Sequence, residues 1–292
     1  MNYSDSVAQE DKSGRTLLTI KRVFCYIILI IVAVISMLPF WILIVNATRS
    51  HYQITGSFSL IPGTALLANL KSVFTNKNLP VASALVNSVF IAACVCVLTT
   101  YFSTMTAYGV HAYSFKLKKL AYVFILMILM IPAQVSAAGF VKEMSIFKWN
   151  DTFIPLILPA IAAPAVVFFM KQYMEGALPL EIVEAARIDG GNEFFNFNAI
   201  VLPIMKPAMA VQAIFAFVTT WNNYFMPAMI LTSDKKKTVP IVIAAMRGAD
   251  YMNMDMGQIY MLLALAVVPL IIVYLCLSKF IIRGIALGSV KG

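Results

Sequence analysis

The side chains that could act on a small molecule are few, and most lie inside apolar runs. They are Asn87 and Ser88, then Gln134 just after Pro132, then Thr219, Thr220, Trp221, Asn222, Asn223 and Tyr224 in one stretch. Amides, hydroxyls and aromatic faces bind by hydrogen bonding and stacking, without charge. An uncompensated amide in lipid is costly, so these groups must face a neighbouring helix or a wet cavity. For Asn87 and Ser88 helix-to-helix bonding is the better reading. For Gln134 and the 219–224 group, that reading and a cavity lining stand side by side. Cys25, Cys94, Cys96 and Cys276 also fall in apolar runs, where free cysteine behaves as a small buried hydrophobe. Cys94 and Cys96 are two apart, so on a helix they diverge and cannot share a metal. His51, His111 and the tyrosines lie near the ends of runs, where interfacial anchoring or a solvated loop accounts for them. The chain has no G-x-x-x-x-G-K-[ST] phosphate loop, so it does not hydrolyse ATP by itself. Ionisable residues are nearly absent from the middles of the runs, which argues against a proton-coupled carrier.

The elements that must position these groups follow from composition. Of 292 residues, 61% are hydrophobic and 12% charged, against roughly 25% charged in a soluble domain. The formal net charge of +9 would raise nucleic-acid binding in a soluble protein. Here the basic residues sit mainly in short stretches between apolar runs, where they meet lipid headgroups and set orientation, so no nucleic-acid partner is expected. A helix needs about 20 residues to cross a hydrocarbon core of about 30 Å. Six runs qualify: residues 23–45, 81–107, 120–140, 153–169, 208–231 and 258–282. The first is too long for a signal peptide and reads as a retained helix. The expected fold class is therefore all-α, a polytopic membrane protein with six transmembrane helices. With both termini inside, 13 of the 22 Lys and Arg residues fall inside. The short loop with Lys116, Lys118 and Lys119 supports N-in and C-in, while the Lys235, Lys236, Lys237 triplet opposes it.

The segment 171–207 is unlike the rest. It contains no span, yet holds Glu175, Glu181, Glu184, Arg187, Asp189 and Glu193. Pro179 suits a helix start, where its missing N–H has no internal partner. Ile182, Ala185, Ala186 and Asp189 follow helical spacing and share a face. Gly190 and Gly191 suit a C-terminal stop that needs a left-handed residue. A second helix is expected from about 192 to 201, broken at Pro203. A helix lying on headgroups would carry large apolar residues and a basic polar face. This one is small-faced and mainly acidic, which favours docking into another protein.

The stretch Glu184-Ala185-Ala186, then Gly190, then Ile200, Leu202 and Pro203 resembles the EAA loop of ATP-binding-cassette importer permeases, matching all seven fixed positions at the family spacing. The longer form Glu184-Ala185-Ala186-Arg187-Ile188-Asp189-Gly190 is similar to the carbohydrate branch, typified by the smaller permease of the maltose importer. So are Met130-Ile131-Pro132 with Gln134, Trp221-Asn222, Thr238-Val239-Pro240 and the tail Val290-Lys291-Gly292. The resemblance covers roughly residues 81–292.

It implies a type I importer permease fold in the bacterial cytoplasmic (inner) membrane. The implied partners are a homologous second permease, two cytoplasmic ABC ATPase subunits, an external sugar-binding protein, and the sugar itself. ATP and its Mg would be held by the ATPase, with no cofactor on this chain. Glu184, Ala185, Ala186, Asp189 and Gly190 would couple to the ATPase, and the tail Ser289, Val290, Lys291 and Gly292 would touch it. Asn87, Gln134, Thr220, Trp221, Asn222, Asn223 and Tyr224 become candidates for the solute path, since a sugar asks for hydrogen bonds and aromatic faces. The loop 232–257, with Lys235, Lys236, Lys237, Arg247 and Asp250, would dock the binding protein. The implied organisation is a cytoplasmic segment 1–22, a first span with outer segment 23–80, a core permease 81–282 containing the coupling loop 171–207, and a tail 283–292. A non-sugar solute, a stand-alone channel or carrier, and a membrane scaffold are the competing readings.

Overall fold

The computed structural model describes residues 3–76, 79–248 and 254–288, and among them the regular elements are all helical. Five helical stretches are long and apolar enough to cross a membrane: Lys21–Ala47, Val81–Ala112, Ile154–Ala177, Glu193–Trp221 and Met256–Phe280.

Three of the six expected runs are reshaped by proline. The third divides into α5 (Lys118–Ile128) and α6 (Ala133–Ile146), with Pro132 in extended conformation between them. At 1.5 Å per residue the halves reach only about 16 and 21 Å, so neither crosses alone. The fourth opens as α7 (Ile154–Ile157), tightens to a 3-10 turn at Leu158–Ile161, and resumes as α8 (Pro164–Ala177), eight residues beyond the expected end. The fifth begins well before residue 208. A short α10 (Glu193–Asn196) runs through a π-turn at Phe197–Val201 into α11 (Leu202–Trp221). The expected break at Pro203 therefore does not occur. Proline lacks the donor for the preceding turn and crowds its carbonyl, and the wide turn just before it absorbs both defects. The helix ends instead at Trp221, and α12 (Phe225–Ile230) follows after a short gap.

The chain divides into two compact units. The first comprises residues 1–70 and 255–264. It contains α1 (Tyr3–Ala47), the short α2 (His51–Gly56) and the start of α3 (Leu66–Thr75). Its polar centre is Arg49, only 6% exposed. Arg49 donates to Asn46 Oδ1 (3.3 Å), the Gln53 carbonyl (2.5 Å) and the Ser57 carbonyl (2.8 Å). Asn69 donates to the carbonyls of Ala47 and Arg49, both at 2.9 Å. His51 Nδ1 accepts the Met256 backbone N–H at 3.1 Å. These bonds satisfy the free carbonyls where a long apolar helix stops.

The second unit comprises residues 71–254 and 265–292 and is built on α4 (Val81–Ala112). Helices α8, α11 and α13 (Val239–Arg247) pack against it. Its buried face is mostly small: Ala84, Ser88, Ala92, Thr99, Thr100, Ser103, Thr104 and Ala107. The facing helix α11 buries Ala208, Ala210, Ala213 and Ala216. Small residues let helix backbones approach closely where lipid offers no hydrophobic drive to associate. Thr100 and Thr104 return their hydroxyls to the carbonyls of Cys96 (2.8 Å) and Thr100 (2.6 Å), so these two stay satisfied within α4.

Candidate functional site

At the Ala112 end of α4 stands α9 (Leu180–Ile188), the helix expected to dock a partner. Pro179 precedes it as the N-cap, and Glu181 lies in the first turn, where a carboxylate meets the positive end of the dipole. The stop is a Schellman motif. Gly190 has φ +83 and donates to Arg187 O at 3.1 Å, and Gly191 donates to Ala186 O at 3.0 Å. Val183, 1% exposed, is the side chain that anchors the helix. It joins a buried cluster of Met170, Met174, Leu178, Phe197, Val201 and Met205. The opposite face is bare. Glu184, Ala185, Asp189 and Gly190 are exposed and Ala186 is half-buried, so the five expected coupling residues stand together. Ile182 and Ile188 are also uncovered, at 41% and 85% exposure.

Behind α9 lies a polar knot that the sequence reading did not single out. Arg187 Nε donates to Glu193 Oε1 at 2.6 Å, and the Tyr108 hydroxyl donates to Glu193 Oε2 at 2.9 Å. The Tyr113 ring lies 5.0 Å from the Arg187 guanidinium, beside the same carboxylate. Burial first, and then this carboxylate, push the Tyr113 phenol above its ordinary value. The bond to Glu193 raises Arg187 further above its already high value. Only the i, i+6 spacing of Arg187 and Glu193 across a glycine turn could have signalled the pair.

The groups expected along a solute path do not converge. Trp221 is buried and stacks on Phe217 at 5.8 Å. Asn222 donates to Val218 O at 2.9 Å and closes the end of α11. Tyr224 and Gln134 are exposed on different elements. Thr220 and Asn223 do meet. They line a cavity of ≈ 190 Å³ with Ser88, Thr99, Thr238 and several apolar side chains. That is room for about six waters at the density of the liquid. The Thr238 hydroxyl is buried and unpaired, while Thr99 donates to Ala160 O at 3.1 Å.

Asn87 holds a loop. Its amide donates to the carbonyls of Lys235 (2.9 Å) and Lys237 (3.0 Å), and Ser88 Oγ accepts from Val239 N at 2.9 Å. These bonds fix the 3-10 turn Asp234–Lys236 at the Val81 end of α4. Lys237 pairs with Asp234, Lys236 pairs with Asp151, and Lys235 and Arg247 are exposed. Asp250 and the tail Ser289, Val290, Lys291 and Gly292 lie outside the described residues.

Asp151 is the second anchor of this loop and was invisible in the sequence. It sits at φ 54, a left-handed conformation that Asp tolerates better than most residues. Its Oδ1 accepts from Thr232 N and Ser233 N, both at 3.0 Å, and Oδ2 accepts from the Ser233 hydroxyl and Lys236. These bonds, Ser233's first, hold the carboxyl well below its usual range. A depressed carboxyl contributes stability that is present above its unfolded value and lost as pH falls through the folded one. The Thr232 and Ser233 amides, which donate to Asp151, should therefore stay slow in hydrogen exchange down to about pH 3, below the ordinary carboxylate value. In Asp151→Ala, trypsin cleavage at Lys235 and Lys237 should quicken by about tenfold or more at neutral pH, as expected for losing several bonds to a charged acceptor.

These features define a class: a helical membrane subunit with an exposed, glycine-capped short helix at one end of its bundle and a tethered polar loop at the other. Residues 99–287 match the family described as binding-protein-dependent transport system inner membrane component, and the chain belongs to that family. It is 34% identical over 267 residues to the arabinooligosaccharides transport system permease protein of Halalkalibacterium halodurans, covering 89% of this chain and 93% of that one. It is 30% identical to the lactose transport system permease protein of Rhizobium radiobacter, covering 91% and 95%. The fold is shared with a crystal structure of a bacterial ABC transporter involved in import of the acidic polysaccharide alginate, at TM-score 0.77 and 17% identity over 96% of this chain and 98% of that chain. The protein is thus a multi-pass permease subunit of an ABC importer in the cytoplasmic membrane. Such a subunit works with a second permease, ATPases and a binding protein, and the ATPases hydrolyse the ATP.

Proposed function

We propose that this permease imports a sugar or oligosaccharide by alternating access, with a homologous second permease, two ATPase subunits on the α9 side and an external sugar-binding protein on the loop side. The observation that carries the reading is α9 itself. It is held by Val183 and a glycine cap, yet Ile182, Ala185, Glu184 and Ile188 stand exposed among the described residues. Two uncovered isoleucines on a short capped helix fit a cleft in a partner. The relatives named for arabinooligosaccharides and lactose support a sugar as the solute. In this reading α5 and α6 form a sixth, broken crossing, both termini are cytoplasmic, and the core permease is 81–282. The cavity beside Thr220 and Asn223 belongs to the solute path in its outer half. ATP and the loaded binding protein favour the same state of a two-state assembly, and their difference in affinity between the two states drives the cycle.

Reconstitution in liposomes tests this. The chain alone should move no sugar, while the complex with ATPase and loaded binding protein should accumulate it only with ATP inside. In the same vesicles, Asn223→Leu should slow uptake and leave ATPase co-purification intact. Gradient-driven uptake without any ATPase would overturn the reading. Unchanged uptake in the Asn223 variant would remove the cavity from the path.

A further inference from the structure

Three separate elements meet at one carboxylate. Glu193 opens the α10–α11 rod, Arg187 lies in the last turn of α9, and Tyr108 lies in the last turns of α4. Each of its two oxygens takes a bond from a different element, at 2.6 and 2.9 Å. Tyr113, just past α4, adds a ring face for the guanidinium. Apolar packing runs alongside: Tyr108 meets Phe197 at 5.8 Å and Tyr101 meets Phe197 at 5.5 Å, joining α4 to the π-turn.

The glycine pair between Arg187 and Glu193 makes this arrangement consequential. Gly190 and Gly191 end α9 sharply, and a backbone of two glycines transmits little torque by itself. A side-chain bridge across the turn restores stiffness that the backbone lacks. Charge-assisted bonds are roughly twice as strong as neutral ones and are directional.

We propose that Glu193, through Arg187 and Tyr108, is the positioning residue that makes α9, the end of α4 and the α10–α11 rod move as one body, so that displacement of the docking helix reaches the membrane helices. The proposal rests on the reading of α9 as the ATPase-docking helix. It assigns no contact with ATP or solute to Glu193. Without the bridge, α9 should still dock, and the glycine turn should flex in place of the rod.

The test uses the whole importer in proteoliposomes and measures solute moved per ATP hydrolysed. Glu193→Gln keeps the shape of the side chain and removes its charge. We expect ATPase co-purification and unstimulated hydrolysis to remain near wild type, with solute moved per ATP falling by about tenfold, the scale of a lost charged hydrogen bond. Tyr108→Phe should give a smaller loss in the same ratio. The exchange Arg187→Glu with Glu193→Arg should recover part of it. Two results overturn the proposal. One is a wild-type ratio in both Glu193→Gln and Tyr108→Phe. The other is loss of the ATPase from the Glu193→Gln complex, which would make the knot a folding element. A wild-type complex that contains no ATPase would instead overturn the reading of α9.

Discussion

Replacing Glu184 with lysine should bring ATP hydrolysis of the assembled importer down to its rate without solute, and uptake should fall by about 30-fold or more. That factor corresponds to roughly 2 kcal/mol, the lower end of what reversing a charge in a docked interface costs. Glu184 is exposed on α9 and shows no bond among the described residues that its loss would break, so the spans should remain folded. Gly190→Pro should be as damaging by another route. Gly190 needs φ +83, and its N–H caps Arg187 O. Proline fixes φ near −65° and has no N–H. The helix would end differently and present a different face. Vesicle uptake and solute-stimulated phosphate release check both variants. Wild-type transport in the pair would sink the claim that this helix couples.

Val183→Asp should be the most damaging single change at this end of the molecule. Val183 is the only α9 side chain that is fully buried, and it packs among Met170, Met174, Leu178 and Met205. A carboxylate there would be buried among methionine, leucine and aromatic side chains, and placing a charge in such surroundings costs several kcal/mol. The helix should peel from the bundle, with complex yield falling by tenfold or more for each ~1.4 kcal/mol lost. Val183→Ala leaves only a small void, so it should cost far less. Yield of the ATPase-containing complex after affinity purification separates the two. Equal yields for both variants would mean that α9 is not held by this side chain.

How much of this could be read beforehand depended on whether the signal was local. The helix at 180–188 was legible because cap, spacing and glycine stop are all carried by neighbouring residues. Its exposure was foreshadowed by the small, acidic face. The start of the fifth span was misplaced because Pro203 normally ends a helix, and nothing local announces a π-turn that accommodates it. The 219–224 group looked like one site because its members are adjacent. The helix end at Trp221 turns Trp221 inward, Asn222 back onto its own helix and Thr220 and Asn223 toward the cavity. Asp151 and Glu193 were missed for one reason. Each is an isolated polar residue whose partners, save Arg187, are remote in sequence, and pairing at that range leaves no periodic trace. Asn87, read as bonding helix to helix and also carried as a solute-path candidate, bonds to loop backbone instead of a helix.

The π-turn has a mechanical consequence. Because the chain does not stop at Pro203, residues 193–221 form one stretch of 29 residues, about 43 Å long at 1.5 Å per residue. One end abuts the docking helix and the other reaches the edge of the cavity. Such a rod is a lever. A swing of only about 5° at the Glu193 end carries the Trp221 end through about 4 Å, more than the width of a water molecule. On the proposed coupling, the importer would need no large rearrangement at the ATPase to open a path near the far surface, only a pivot stiff enough not to waste the stroke.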